Sequence, residues 1–309
     1  MEHPLLYCLD TVMVDVIMKV AHIPQKGGDV LADDRLFTAG GGYNAMSAAS
    51  RCGLQSVYVG TLGTGPFSDL ASEALDRDGI SAPLPRIHTL DTGYCVTLVE
   101  PSGERTFITA TGSEVELGAA ELHQVAPLPG DFVLVSGYNV MYEPQASAIL
   151  SWIEDLDKEV IVAFDPAIRV EDIPAANLRR AVSRTNWLLC NEREAQYLSG
   201  KVDMAEVVSE LAGMSLDVIL RVGAEGCWVI SGDSVTQVPG FHVQTVDTTG
   251  AGDTHNGIFL AELARGESPT RAARIANAGA ALATEQFGPA TSPSVDVILA
   301  WLADHETAK

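Results

Sequence analysis

The sequence predicts an α/β protein built on a mostly parallel sheet, with a small strand-rich appendage. Between Phe132 and Val222, short apolar runs alternate with helix-length segments, the pattern of successive βαβ units. Two other stretches, about Thr11 to Thr38 and Thr92 to Ala110, read mainly as strands and can pair as a small added sheet. A glycine-bearing turn, Val246 to Gly257, runs into an apolar segment ending near Leu263, which reads as a loop feeding a helix N-terminus.

Leu5 to Leu9 is a short apolar run, and Val12 to Val20, the stretch that holds Asp15, alternates loosely in a strand-like way. Gly27-Gly28-Asp29 is a turn, and Val30 to Thr38 the next strand. Ala39-Gly40-Gly41-Gly42-Tyr43-Asn44 leads into a small-residue helix, Ala45 to Arg51, closed by Gly53. Ser56 to Leu62 reads as a strand, and Phe67 to Asp78 as a helix ended by Gly79. Gly93 to Val99 and Arg105 to Thr109 flank the turn Pro101-Ser102-Gly103, a hairpin signal. Beyond it come strands at Phe132 to Ser136, Val160 to Phe164, Trp187 to Cys190 and Val218 to Val222. Helices are expected at Ala146 to Leu156, Leu178 to Ser183 and Val207 to Gly213, then at Thr270 to Glu285 and Val295 to Asp304. With no repeat or long linker, the 309 residues are expected to form one domain, 1–309, its appended strands within 11–38 and 92–110. A lid over a cleft is the functional reading of those strands; an ordinary sheet edge is the plain one.

No apolar run approaches the roughly 18 residues of a membrane span, and Met1 to Leu9 lacks a charged-then-apolar leader, so a soluble, cytoplasmic protein is expected. Five widely spaced cysteines in apolar surroundings read as buried small hydrophobes, with no zinc spacing or disulfide framework. A formal net charge of −22 argues against nucleic acid or anionic membrane as partner, though a nucleotide needs only local donors.

The chemistry concentrates at Asp247-Thr248-Thr249-Gly250-Ala251-Gly252-Asp253. Gly250, Ala251 and Gly252 are small enough for their amides to approach a ligand, and a helix N-terminus adds partial positive charge, which makes an anion site. A carboxylate there would repel a resting phosphate. Asp253 makes sense as the base that takes a proton from a hydroxyl nucleophile while the amides hold the phosphoryl group it attacks. The plain alternatives are a tight turn and a helix cap.

That string resembles the C-terminal signature of the ribokinase-like (pfkB) family of carbohydrate and nucleoside kinases. The resemblance implies a three-layer α/β/α sandwich with a β-sheet lid, ATP and Mg²⁺ as cofactors, and a sugar or nucleoside acceptor. Further motifs carry it. Gly40 and Asn44 match a Gly-Gly-x-x-x-Asn turn in which Ala39 replaces the first glycine, and Asp15 fits its upstream acid. In the family these residues, with Gly41, grip sugar hydroxyls; otherwise Asp15 is a strand-end turn residue and Asn44 a cap. Asn191-Glu192-Arg193-Glu194 matches an Asn-x-x-Glu motif that orients hydrated magnesium and phosphates. Asp165-Pro166-Ala167-Ile168-Arg169 is similar to an Asp-Pro-Asn-x-Arg run; Arg169 meets phosphate or forms a surface salt bridge. Arg221 to Gly226, with Gly223 and Gly226, takes the place of a strand-end loop beside the nucleotide, and Asn277 lies where the family packs adenine. Asp247, Thr249, Ala283, Gly288 and Ser292 resemble a monovalent-cation site, implying K⁺. The family also commonly packs two lids together, so a homodimer through the lid is expected.

No Gly-x-x-x-x-Gly-Lys-Ser/Thr is present, and Gly60-Thr61-Leu62-Gly63-Thr64-Gly65 fails the dinucleotide spacing. His255 reads as helix packing. The expected activity is ATP-dependent phosphorylation of a primary hydroxyl, with a nucleoside kinase of the same fold or a non-catalytic sugar or nucleotide sensor as alternatives. A neutral acceptor is expected over a sugar phosphate, because Asp10 to Val16 and Ala39 to Asn44 contain no basic residue. Lys19, Lys26, Arg35 and Arg105 are the nearest, and Arg105 alone sits in a recurring family turn, Gly103-Glu104-Arg105, which makes it a candidate substrate-binding residue. Sugar stands ahead of nucleoside because Tyr43 is the only obvious stacking aromatic.

Overall fold

A computed structural model describes residues 4–306; the expected domain span 1–309 extends three residues past these at either end. The chain opens with β1 (Leu6–Leu9), β2 (Val12–Val20), β3 (Ala32–Gly41), α1 (Gly42–Arg51), β4 (Ser56–Tyr58) and α2 (Pro66–Arg77). It continues through β5 (Tyr94–Val99), β6 (Arg105–Ala110), α3 (Ala119–Leu122), β7 (Phe132–Ser136), α4 (Gln145–Asp155) and β8 (Ile161–Asp165). Next come α5 (Ala175–Arg184), β9 (Trp187–Asn191), α6 (Glu192–Ser199), α7 (Met204–Ala212) and β10 (Asp217–Arg221). The last third holds β11 (Gly226–Ser231), β12 (Ser234–Pro239), α8 (Ala251–Ala264), α9 (Pro269–Thr284) and α10 (Val295–Glu306).

Eight strands form the main sheet in the order β12-β11-β10-β9-β8-β7-β1-β4. From β10 to β4 every pairing is parallel, while β11 and β12 close one edge antiparallel. Parallel central strands are covered on both faces, so they read as continuous apolar runs. Alternation then assigns each side chain to one of two cores. Leu6, Cys8, Phe132, Leu134 and Leu189 face a core completed by α1, α2, α8, α9 and α10. Leu9, Val133, Val135, Phe164 and Leu188 face the other, closed by α3 to α7. The result is the expected α/β/α sandwich. All five cysteines are buried and free.

A separate four-stranded sheet has the order β3-β2-β5-β6. β2 and β5 run parallel with Asp15 opposite Cys95, so the two strand-rich stretches share one sheet. β5 and β6 form the hairpin, with Val99 opposite Arg105.

Three differences from the sequence reading have physical causes. The strand expected over Ser56 to Leu62 stops at Tyr58, after which Thr61 leaves the sheet and bonds the Ser113 carbonyl at 2.5 Å. α1 begins at Gly42, three residues early, because the Gly42 amide finds the Thr11 carbonyl at 2.9 Å and needs no polar cap. The β11–β12 hairpin escaped notice although its two-residue Gly232-Asp233 loop, with Gly232 at φ 54°, is a recognised turn.

Candidate active site

The first turns of α1 and α8 meet at the carboxyl ends of the parallel strands, where sheets of this kind leave their binding crevice. Five adjacent strands each end on a polar group there: Asp10 just past β1, Ser136 on β7, Asp165 on β8, Asn191 on β9 and Arg221 on β10. α1 and α8 cross closely because Gly257 faces the α1 backbone, where an added Cβ would stand 2.1 Å from the Ala45 carbonyl. This crossing brings Asn44 against Asp253. The Asn44 amide nitrogen donates to Asp253 Oδ2 at 3.0 Å, across 209 residues of sequence.

Asp253 lies in the first turn of α8, behind Gly250, Ala251 and Gly252. Gly250 caps the helix at φ 72°, a left-handed conformation suited to glycine. Burial raises the Asp253 pKa, and Asp165 adds to the rise, while Asn44 and Arg221 oppose it. A carboxylate less acidic than usual and tethered by one hydrogen bond is suited to accept a proton.

Asp15 is mid-strand in β2, opposite Thr38 on β3, and so not the strand-end turn residue of the plain reading. Gly40 lies beside it, and a Cβ at Gly40 would stand 2.0 Å from Asp15 Oδ2. Gly41 packs on the Thr11 carbonyl, with φ 63°, as the cap of α1. Burial, then the charge of Asp253, pushes Asp15 up to about 6. Asn44 is 4% exposed, and its Oδ1 is buried with no hydrogen-bond partner among the described residues.

On the other side of α8 lies a cavity of about 820 Å³, lined by Asn191, Arg221, Gly223, Phe241, Ala251 and Gly252, among others. Gly226 and Asn277 also line it, joined by small side chains of α9, Ala280 and Ala281. Asn191 caps α6 reciprocally: its amide accepts the Glu194 N–H at 3.0 Å, and the Glu194 carboxylate takes the Asn191 N–H at 2.8 Å. Glu194 therefore faces inward, and burial followed by the charge of Asp165 pushes it up to about 7. Arg221 stands between the two halves, bonded to Asn256, 3.2 Å from Asp165 and 3.8 Å from Glu194.

Not every expected residue arrives. Arg169 is half exposed and pairs with Asp172 at 2.7 Å, the surface-bridge outcome. Tyr43 is buried, donating to Asp78 at 2.7 Å, so it offers no stacking face. The half-buried aromatic near the carboxylates is Tyr138, just past β7, raised to about 12 by burial and by Asp10 and Asp253. The Asn277 amide nitrogen faces the Val238 carbonyl at 3.1 Å, and its oxygen faces His255 Nε2 at 3.0 Å. Its side chain is thus spent on seating His255, which burial and then Arg221 lower to about 3, in keeping with the packing role expected of that histidine.

Arg105, on the small sheet, forms an ion pair with Asp247. With Asp15 and Thr249 they line a second cavity of about 40 Å³ between that sheet and the turn before α8. The Asp247 carboxylate also accepts the Thr249 and Gly288 amides at 2.8 and 3.0 Å. The residues implied for a monovalent cation fit poorly. The Ala283 carbonyl already accepts Gln286 N–H and Thr291 Oγ1 at 3.2 and 2.9 Å, and the Ser292 carbonyl accepts Arg51 at 2.9 Å.

Sequence reasoning passed over Asp10, and gave Asp165 and Asn256 no role. The signal lay in their position, at strand ends and one turn past Asp253.

Residues 3–296 match the family described as pfkB family carbohydrate kinase. The chain is 29% identical over 294 residues to a protein named uncharacterized sugar kinase YegV of Escherichia coli (strain K12), covering 93% of this chain and 90% of that one. It is 27% identical over 283 residues to ribokinase of Bacillus subtilis (strain 168), covering 89% and 91%. The crystal structure of a ribokinase from Thermotoga maritima superposes with a TM-score of 0.84 at 23% identity, covering 97% and 99% of the two chains.

Proposed function

The chain belongs to the pfkB family of carbohydrate kinases, as a sugar or nucleoside kinase, and from that premise we propose that it transfers the γ-phosphoryl group of ATP to a primary hydroxyl of a neutral sugar. The observation that carries the reading is the 3.0 Å contact of Asn44 with Asp253, which joins two helix N-termini beside a nucleotide-sized cavity.

Asp15, Gly40, Gly41 and Asn44 hold the acceptor, the orphaned Asn44 Oδ1 taking one of its hydroxyls. Asp253 takes the proton of the attacking hydroxyl. The freed oxygen bonds to the γ-phosphorus as the bond to the bridging oxygen breaks, and ADP leaves. Amides of Gly250, Ala251 and Gly252 stabilise charge on the phosphoryl oxygens. Asn191, Glu194, Arg221, Gly223, Gly226 and Asn277 form or brace the nucleotide wall. Asp165 and Glu194 would supply carboxylate oxygens to a magnesium ion bound with ATP, and the ion would offset phosphate charge. The small sheet acts as a lid, its Arg105 tying it to Asp247 at the turn before the anion hole.

A neutral acceptor fits because the basic side chains near the site are engaged: Arg105 with Asp247, Arg169 with Asp172, Arg51 with Asp78 and Arg221 with Asp165. Sugar is favoured over nucleoside by the polar character of Asp15, Asn44 and Asp253, since Tyr43 is buried against Asp78 and stacks on no base. A non-catalytic sensor would gain nothing from a carboxylate aimed at phosphate. ATP turnover against a panel of neutral sugars, nucleosides and sugar phosphates, with and without potassium, tests the reading. Phosphorylation of a neutral sugar is expected; no product across the panel would favour the sensor, and much higher kcat/KM for a sugar phosphate would overturn the acceptor class.

A further inference from the structure

Asp10 takes no role in the proposed reaction, yet it closes the β1 end of the row of polar strand ends that lines the crevice. It follows β1, the strand flanked by β7 and β4 in the main sheet. Its Oδ1 accepts the Thr11 N–H at 2.7 Å, which fixes the side chain. A Cβ added at Gly42, the first residue of α1, would stand 2.7 Å from the Asp10 Cβ. Asp10 therefore leans on the same helix turn that carries Asn44, whose amide holds Asp253. Burial and then the charge of Asp253 push Asp10 up to about 7, with Asp165 adding to it and a hydrogen bond from Ser136 opposing. The arginine of this neighbourhood, Arg221, is held by Asp165, Glu194 and Asn256.

The groups gathered here are almost all acceptors: carboxylates of Asp10, Asp15 and Asp253, and the Asn44 Oδ1, nine-tenths buried and without a hydrogen-bond partner among the described residues. Crowded carboxylates repel one another, and a ligand that brings hydrogen-bond donors relieves the crowding as a proton does. A sugar has one hydroxyl for Asp253 to deprotonate and others to give away. Asp15 comes from β2 of the small sheet and Asn44 from α1, whereas Asp10 follows β1 of the main sheet, so the acceptor groups converge from different elements.

Resting on the kinase reading, we propose that Asp10 is a specificity-determining residue that accepts a hydrogen bond from an acceptor hydroxyl other than the one phosphorylated, so that the substrate class is a polyol ring presenting hydroxyls on two edges. A site built to accept a hydroxyl proton discriminates strongly against the analogue that lacks it, because its own buried group is then left unpaired.

The test uses the full chain and the best neutral acceptor found among D-ribose, D-fructose and adenosine, with the monodeoxy analogues of that acceptor. In the wild type one deoxy analogue is expected to lose at least about tenfold in kcat/KM. Asp10→Asn keeps the size and the Thr11 contact, and Asp10→Ala removes both. In each, that one ratio should fall at least about tenfold toward unity, mainly through KM, while ratios at the other hydroxyls stay as in the wild type. Retained thermal stabilisation by ATP identifies the folded variants. Wild-type ratios at every hydroxyl in a folded, active Asp10→Asn enzyme overturn the inference and leave the kinase reading standing. Absence of phosphorylation by the wild type overturns the kinase reading, and the inference falls with it.

Discussion

Gly40 and Asp10 show how a residue's role here is set by what stands next to it. Gly40 has no room for a methyl group, since its Cβ would fall 2.0 Å from an Asp15 oxygen. Gly40→Ala should therefore turn Asp15 away and raise the acceptor KM at least about tenfold, while ATP binding is retained, because one lost hydrogen bond to a charged group costs ~1.5–3 kcal/mol. An unchanged acceptor KM would remove Asp15 from the acceptor site. Asp10 carries a pH prediction. Its folded pKa of about 7 lies above the ordinary carboxylate value, so the folded state prefers the protonated form. The stability this confers is full below pH about 4 and lost as pH rises to about 7. Asp10→Asn, which cannot ionise, should gain in Tm over the wild type at pH 8 by more than at pH 5; equal differences at both would contradict the shift. Asp253 and Asn44 could be proposed from the sequence because each stands in a recognisable string, and Asp15 as the acid upstream of one of them. Asp10 has no string, only a place at the end of a strand, and Tyr43 looked like a pocket aromatic because its orientation toward Asp78 depends on a helix 35 residues away.

Among the elements, the α1–α8 crossing matters most, since it sets the Asn44 to Asp253 distance. Gly257→Ala would place a methyl group 2.1 Å from the Ala45 carbonyl and 2.9 Å from the Ala48 side chain. Overpacking of this kind costs ~1–3 kcal/mol. The variant should lose that much stability in denaturant unfolding and lose turnover as well, although no active-site group has changed. Wild-type kcat in a destabilised Gly257→Ala would show that the crossing does not set the catalytic geometry. Helix and strand identities were legible from periodicity and from their glycine stops at Gly53 and Gly79, both at positive φ. Helix starts were less so, because α1 and α8 open on glycine caps with no side-chain hydrogen bond. Glycine caps look the same in sequence as ordinary turns.

For the whole molecule, the small sheet leaves Phe37 and Ile108 exposed on one face, with Ile108 at 62%. Open strand edges and apolar side chains of this kind are usually covered, and a second copy of the sheet would cover them. A homodimer by light scattering at micromolar concentration is expected, converted to monomer by Ile108→Lys; a wild-type monomer would contradict it. The sandwich itself was legible in the alternation of strands and helices from Phe132 onward. That β2 and β5 lie side by side was foreshadowed only by their shared strand character, because nothing in a sequence records which distant strands pair. In the reaction we propose, α1 and α8 together make one phosphoryl-transfer site with Asp253 as its base. The most direct measurement is single-turnover transfer of labelled γ-phosphate to the best neutral sugar by wild type and Asp253→Asn, with ATP affinity measured alongside. Transfer should fall by about 10²–10⁴-fold while ATP binds as before; wild-type transfer in Asp253→Asn would contradict the account.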